Sequence, residues 1–383
     1  MKFFHLSDLH IGLKLYNRDL GEDQAYILRQ IIRLAAEERP DALVIAGDIY
    51  DRAVPPAEAV ELFDRFITEL TDTLPKLSVM LIAGNHDSGP RVGCLNAILS
   101  RQNVHMIGQP PRTKEEYMEK VVLRDQYGPV NFYLLPFVRP SMARRAVGDE
   151  EERALSYEET LRRLIARETL DPAQRNVIVS HQFYLPSGSR PEDIERMDSE
   201  IPTVGNIDAV PADILEPFDY GALGHIHKPM KAGGEFCRYC GTPLACSVSE
   251  AGQEKSIIQV ELGEKGDRKV RLLPLKPLRQ VKIIRGEFSQ VLGQACQDYV
   301  TVILTDREDL DVLDMQDKLR SAFPYLLEIR REGIRRADYT NRRTAAKEPD
   351  PFELCCSFLG DTDEEEREIL RDVINSLQEV TEK

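Results

Sequence analysis

Long apolar runs are missing from this sequence of 383 residues. None approaches the roughly 18 consecutive apolar residues that a helical membrane span needs. Its start has little of a secretory leader: Met1-Lys2-Phe3-Phe4-His5 leads directly to Ser7-Asp8, without a basic stretch, an extended apolar region or a small-residue cleavage site. Cysteine is scarce. Seven residues, an odd number scattered along the chain, make no disulfide framework and point to a reducing, cytoplasmic setting. Positive charge is short as well, with 50 Lys and Arg against 65 Asp and Glu, a net of −15. That balance excludes coating of nucleic acid or anionic lipid by bulk charge alone. No G-x-x-x-x-G-K-[ST] loop is present, so any ATP-driven control must come from a partner. The single C-x-x-C, Cys237 and Cys240, stands on a predicted strand without a second pair and is not read as a zinc site. What remains is ordinary for a soluble globular chain, 42% apolar and 30% charged, with length for two or three domains.

The first half alternates short β-rich apolar runs with segments of helical period, an α/β signature. Strands are predicted from Phe3 to Leu6, Ala42 to Ile45, Val79 to Ile82, Asn176 to Val179 and Tyr220 to Leu223, each ending at a polar cluster. Helices are predicted from Glu22 to Glu38, from Pro55-Pro56 to about Leu70, and from about Arg91 to Ser100. After Lys231 the runs Phe236 to Tyr239, Ile257 to Leu262 and Val270 to Leu273 are expected to build a second sheet packed on the first.

A first domain is taken as residues 1–276. Residues 277–332 then read strand (Val281 to Ile284), strand (Tyr299 to Leu304), helix (Leu313 to Ala322) and strand (Leu326 to Arg330), enough for a small α+β domain. Arg330 to Lys347 carries seven Arg or Lys against Glu332 and Asp338 and few apolar residues; it reads as a linker, taken as 333–348. Residues 349–383 are acidic yet carry helix starts at Asp350-Pro351-Phe352-Glu353 and Thr362-Asp363-Glu364-Glu365. Phe352, Cys355, Cys356 and Leu359 share a face, as do Ile369, Leu370, Val373, Ile374 and Leu377. Such a pair is expected to dock on a partner rather than stand solvated.

Five of the seven histidines fall at predicted strand ends. The clusters there are Ser7-Asp8-Leu9-His10, Gly47-Asp48-Ile49-Tyr50-Asp51-Arg52, Gly84-Asn85-His86-Asp87, Ser180-His181 and Gly224-His225-Ile226-His227. A lone strand-end histidine is usually structural; a succession of such clusters points to a metal centre. Alternation along a strand would put Asp8 and His10 on one face, and His225 and His227 likewise, so that each pair can grip one ion. Carboxylate, imidazole and amide oxygen without thiolate suit Mn²⁺, Fe²⁺ or Zn²⁺ and speak against a structural zinc site. Two ions would need a bridging carboxylate, for which Asp48 is the natural candidate. Such a pair makes hydroxide available near neutral pH and neutralises phosphate oxygens, so a phosphate ester is the expected substrate. Gly47, Gly84 and Gly224 are expected to permit the sharp turns at which ligands converge.

The motifs D-x-H, G-D-x-x-D, G-N-H-D, H and G-H-x-H, in that order across residues 8 to 227, resemble the calcineurin-like metallophosphoesterase superfamily. The resemblance implies a four-layer α/β sandwich, two mixed sheets flanked by helices, with the site at the strand ends. It implies one ion on Asp8, His10, Asp48 and His227 and a second on Asp48, Asn85, His181 and His225. His86 would lie over the ions and assist the departing oxygen or stabilise the transition state, with Asp51 orienting its ring.

Within that superfamily the chain is most similar to the nucleases of DNA double-strand-break repair. The similarity rests on Leu6 to Gly12, on Ala46 to Asp51 followed by Pro55-Pro56, on Ala83 to Ser88, on Ala222 to Lys228 and on Tyr239 to Leu244. It implies a Mn²⁺-dependent, nucleoid-associated DNA nuclease with exonuclease and endonuclease action. It further implies a capping domain, a C-terminal helical pair docked on the coiled coil of an ATPase subunit, and a homodimer through the nuclease domain. Val60, Leu62, Phe63, Phe66, Leu95 and Ile98 serve either that dimer or the core. Gly47-Asp48-x-x-Asp51-Arg52 is also how protein phosphatases write the motif, so a phosphomonoesterase or small-molecule phosphodiesterase stays open, as does a non-catalytic DNA-end scaffold.

Overall fold

Apolar runs that are unbroken rather than alternating belong to strands covered on both faces, and the central strands of this protein are of that kind. The computed structural model describes residues 1–383 apart from 149–154, 187, 201–205, 307–311, 333–350, 360–362 and 382–383. The predicted linker and the predicted cap at Asp350 lie outside the described residues. One six-stranded sheet comprises β1 (Lys2–Leu6), β2 (Ala42–Ala46), β3 (Ser78–Ile82), β4 (Val104–Ile107), β11 (Lys255–Leu262) and β12 (Arg268–Leu275) in the order β12-β11-β1-β2-β3-β4. β1 to β4 are parallel, and β11 joins antiparallel with Phe3 opposite Val260.

The second sheet comprises β5 (Glu119–Asp125), β6 (Gly128–Leu135), β7 (Arg175–His181), β8 (Tyr220–Gly224), β9 (Met230–Lys231) and β10 (Cys237–Tyr239), in the order β9-β10-β8-β7-β6-β5. The expectation that the late runs build this sheet is therefore corrected. Of the three, only the one at Cys237–Tyr239 joins it. β11 and β12 return to the first sheet, and the second is founded on the mid-chain hairpin β5–β6, whose turn at Gly128 has φ +99°. Sequence period marks a strand but not its neighbours.

Alternate residues sort into layers. Phe3, Val44, Ala46 and Ile82 face Phe132, Val179, Tyr220 and Ala222 between the sheets, with Phe3 edge-on to Phe132 at 5.3 Å. Phe4, Leu6, Leu43 and Ile45 face the other way, onto helices Gly21–Glu38 and Ala57–Thr73. The outer face of the second sheet packs on helix Tyr157–Ala166. The result is a four-layer α/β sandwich of two mixed sheets flanked by helices. Truncating a side chain such as Phe3 in the middle layer costs about 3–5 kcal/mol.

The helix expected from Arg91 to Ser100 is two short ones, Gly89–Val92 and Asn96–Leu99. Leu95 adopts φ +65° between them, which ends any continuous hydrogen-bond ladder. Of the residues weighed for dimer or core, Leu62, Phe63 and Phe66 are buried, whereas Val60, Leu95 and Ile98 are exposed.

Three further parallel strands, β13 (Val281–Gly286), β14 (Tyr299–Leu304) and β15 (Leu326–Arg331), form a separate sheet covered by helices Phe288–Leu292 and Val312–Ala322. Their core contains Val300, Val302, Leu319 and Phe323. This unit meets the sandwich at the start of helix Gly21–Glu38, where Arg279 Nη1 and Tyr299 Oη donate to Asp23 at 2.7 and 2.8 Å. Finally, helices Pro351–Leu359 and Glu364–Thr381 pack through Phe352 and Ile374. The second starts one residue later than the sequence suggests: Asp363 Oδ1 accepts from Glu366 N, and Glu366 Oε2 from Asp363 N. Among the described residues no helix is long and apolar enough to cross a membrane.

Candidate metal centre

β1, β2 and β3 of one sheet and β7 and β8 of the other end at one place, the carboxyl edge where ligands of α/β sheets gather. There the chain turns rather than continuing its pleat. β1 stops at Leu6, and Asp8, His10, Asp48 and His225 all take left-handed backbone conformations, with φ of 53°, 43°, 49° and 101°. Such strain, of order 1–3 kcal/mol per residue, is held by hydrogen bonds between the loops. Asp8 N donates to Gly47 O and His10 N to Asp48 O, both at 3.0 Å. Convergence thus comes from the loops and not from strand alternation, which corrects the basis for pairing Asp8 with His10.

The histidines of G-H-x-H also divide. His227 Nε2 lies 3.1 Å from His10 Nε2, while His225 Nδ1 lies 2.9 Å from Asn85 Oδ1. They do not grip one point together. Ligand atoms of Asp8, His10 and His227 form one group and those of Asp8, Asp48 and His181 another, each within 4.8 Å. Asp48 Oδ2 stands 3.2 Å from His181 Nε2 and 3.8 Å from His10 Nε2, between the two sides.

The donor set fits divalent cations. As a neutral ring, His181 donates from Nδ1 to the Ala46 carbonyl at 2.6 Å, which leaves a lone pair on Nε2. That lone pair faces two further acceptors, Asn85 Oδ1 at 3.0 Å and Asp48 Oδ2 at 3.2 Å. Buried acceptors converging on one point need a cation among them. Burial opposes charge on His181, yet the Asp48 carboxylate attracts a proton to it and raises its pKa to about 9; a metal ion bound here would take that proton's place. His10 and His225 are held well below the usual imidazole range by burial, then by neighbouring imidazoles, and are therefore neutral, as a metal ligand must be. Burial also works against charge on Asp48, but His181 and His86 outweigh it and keep that carboxyl well below its usual range.

His86 stands beside this cluster, its ring 4.8 Å from that of His10, and its main-chain N donates to Asp48 Oδ1 at 2.9 Å. Nδ1 donates to the main-chain carbonyl of Asp51 at 3.0 Å, leaving Nε2 facing the site 4.0 Å from Asp48 Oδ2. The contact that orients the ring therefore runs through the Asp51 backbone. The Asp51 carboxylate instead lies 4.0 Å from His10 Nδ1 and 3.5 Å from Arg52 Nε.

Only Gly47 of the three glycines needs its conformational freedom, at φ +89°. Gly84 and Gly224 are required by close approach: a Cβ at Gly84 would sit 2.1 Å from Asp48 Oδ1, and one at Gly224 would sit 1.9 Å from Ala46 O. Asp87 stands within G-N-H-D, but the sequence assigns it no task. Its carboxylate accepts from Ile49 N, Tyr50 N and Gly84 N at 2.9–3.0 Å and ties the second loop to the third; burial lifts its pKa to about 6. Ser199, Glu200 and Glu250, which surround His227, escape sequence reasoning because they belong to no local motif.

The calcineurin-like phosphoesterase model matches residues 1–229. Among solved structures, the chain is similar to GAP50, the anchor in the inner membrane complex of Plasmodium, at 12% identity and a TM-score of 0.42, covering 91% of this chain and 98% of that one. It is similar to a dimetal phosphatase from Danio rerio at 14% identity and a TM-score of 0.41, covering 74% and 99%. A third is the calcineurin-like phosphoesterase YfkN from Bacillus subtilis, at 14% identity and a TM-score of 0.38, covering 72% and 90%.

Proposed function

The chain belongs to the calcineurin-like phosphoesterase family, hydrolases that act on phosphoesters with divalent metals, and on that premise we propose that it is a DNA nuclease of the SbcD type. Its cofactors are two divalent ions, most suitably Mn²⁺, and its partner is an SbcC-type ATPase with which it processes DNA ends in repair and recombination. The observation that carries this reading is the pair of additions C-terminal to the sandwich. A separate three-stranded unit is fastened beside the metal loop, and a capped helical pair presents an apolar outer face. Asp23 holds that unit through Arg279 and Tyr299, while the adjacent Gln24 donates to the His10 carbonyl at 2.7 Å. Both additions suit a long polymer and a protein partner. The basic stretch Arg330 to Lys347 supplies local positive charge for a phosphate backbone that the acidic whole does not.

In this reading Asp8, His10, Asp48 and His227 hold one ion, and Asp48, Asn85, His181 and His225 hold the other. The bound ions supply an activated water and neutralise developing charge on the phosphate. The protein fixes Asp48 between both sides, keeps His10 and His225 neutral, and holds His86 with its Nδ1 proton committed to the Asp51 carbonyl. His86 Nε2 is then the atom that carries a proton to the departing oxygen. Exposed Val60, Leu95 and Ile98 supply the surface for a homodimer. The test is cleavage of linear DNA with Mn²⁺ by the full chain, alone and with an SbcC-type ATPase. Mn²⁺-dependent cleavage that Asp48→Ala abolishes is expected. Faster turnover of a phosphopeptide or cyclic nucleotide than of DNA would reassign the substrate.

A further inference from the structure

The segment before residue 201 has little regular structure beyond the short turn Pro191–Asp193, yet five consecutive residues are anchored on the wall of the metal centre. Arg196 lays its guanidinium 3.9 Å over the Phe183 ring, which itself packs against His225. Met197 is buried and takes Gln253 Nε2 on its sulfur at 3.1 Å. Asp198 N donates to Ser249 Oγ at 2.9 Å. Ser199 Oγ meets His227 Nδ1 at 2.7 Å, and Glu200 Oε1 accepts from the main-chain N of the same histidine at 2.9 Å.

Counting protons fixes the direction of these bonds. Glu250 is buried and paired with Lys255 at 2.6 Å, so its carboxylate only accepts. Ser199 has one hydroxyl proton and gives it to Glu250 Oε1 at 2.9 Å. Ser199 Oγ must therefore accept from His227, and Nδ1 carries the ring proton. In the neutral ring that metal binding requires, Nε2 is then the bare nitrogen, on the side of His10. The same segment reaches the other histidine of the motif: Arg196 Nη2 lies 3.9 Å from Asp208 Oδ2, and that oxygen lies 4.0 Å from His225 Nε2.

We propose that Ser199 and Glu200 are positioning residues of the metal centre: they hold His227 in the one tautomer and orientation that present Nε2 to an ion. The segment Arg196 to Glu200 is an outer wall of the site, and its sequence is under the constraint of metal binding. This rests on the two-metal reading of the site. Outer partners of metal-bound histidines typically contribute about 10- to 100-fold in affinity.

The test is Mn²⁺ titration of the full chain by calorimetry, with metal stoichiometry after dialysis, for the unmodified protein, Ser199→Ala and Ser199→Thr. Two ions are expected for the unmodified chain. Ser199→Ala is expected to lose at least tenfold in affinity for one ion only, with an unchanged metal-free melting temperature, and Ser199→Thr to bind like the unmodified chain because it keeps the hydroxyl. Equal affinities for the unmodified chain and Ser199→Ala would overturn the proposal. So would a threonine variant as weak as the alanine one, since the hydroxyl would then not be what matters. No Mn²⁺ binding by the unmodified chain would instead remove the two-metal reading itself.

Discussion

The carbonyl oxygen of Ala46, at the end of β2, lies 2.6 Å from Nδ1 of His181, at the end of β7, so one sheet aims an imidazole carried by the other. Gly224 on β8 leaves the room for that contact, since a Cβ there would stand 1.9 Å from the same oxygen and 2.7 Å from the same nitrogen. Gly224→Ala must part the sheets or turn His181 away. Overpacking of this kind costs about 1–3 kcal/mol. A lower urea midpoint together with weaker Mn²⁺ binding is expected. Gly234→Ala is the control, because a Cβ there meets nothing within 4 Å. Equal midpoints for the two variants would show that the approach at Gly224 is not tight.

His86 separates binding from chemistry. It contacts Asp48 through its main-chain N, which any residue retains, whereas its ring reaches the site through Nε2. His86→Ala is therefore expected to keep both ions and to lose about 10²- to 10⁴-fold in cleavage rate, the usual share of a general acid. Asp48→Asn weakens the charge shared between the two sides and is expected to lower metal content itself. Metal analysis beside single-turnover rates distinguishes the two. An His86→Ala variant that no longer binds metal would make His86 a ligand.

Much of this site is legible in the sequence because its groups are written next to strand ends: Asp8, His10, Asp48, Asn85, His181, His225 and His227 do meet at one edge. The strands are legible in their apolar runs for the same local reason. The remainder depends on chain segments far apart. β11 returns to β1 across more than 200 residues, bringing β12 to the edge beyond it, and no periodicity records a neighbour. Ser199 and Glu250 stand 28 and 23 positions from His227 in sequence and touch it only through the fold. Gly84 and Gly224 look like turn glycines, yet it is atoms of other loops that exclude a side chain there.

His5 gives the stability a pH dependence of known sign. It is fully buried between the sheets, donates from Nε2 to the Leu223 carbonyl and faces the Tyr220 hydroxyl with Nδ1, both at 3.1 Å. Burial pushes its pKa from 6.5 down to about 3. Below pH 6.5 the unfolded chain takes up a proton that the folded one refuses, so stability is fully present above that pH and falls as the pH drops toward 3. The slope is about 1.4 kcal/mol per pH unit in that window. His5→Gln removes this contribution. Between pH 6.5 and 5 the stability gap between the two proteins should narrow by about 2 kcal/mol, as read from urea melts in the presence of a chelator. A gap that stays constant would mean that His5 is charged in the folded state.

The C-terminal pair spends its inner face on itself and leaves an outer one open. Phe352 and Ile374 are buried between the helices, with Arg371 stacked 4.6 Å from the Phe352 ring. Phe358 is 91% exposed, and Leu359, Ile369 and Val373 are exposed as well. Burying a Phe or an Ile side chain is worth about 1.5–3 kcal/mol, so two such residues on a partner amount to roughly 100-fold or more in affinity. Phe358→Ser with Ile369→Ser leaves the inner contact and the Asp363 cap in place. The double variant is expected to lose co-purification with an SbcC-type ATPase while keeping Mn²⁺ binding and helical content. Retained co-purification would move the docking surface elsewhere on the chain, and lost helicity would mean that the outer residues hold the pair together, not a partner.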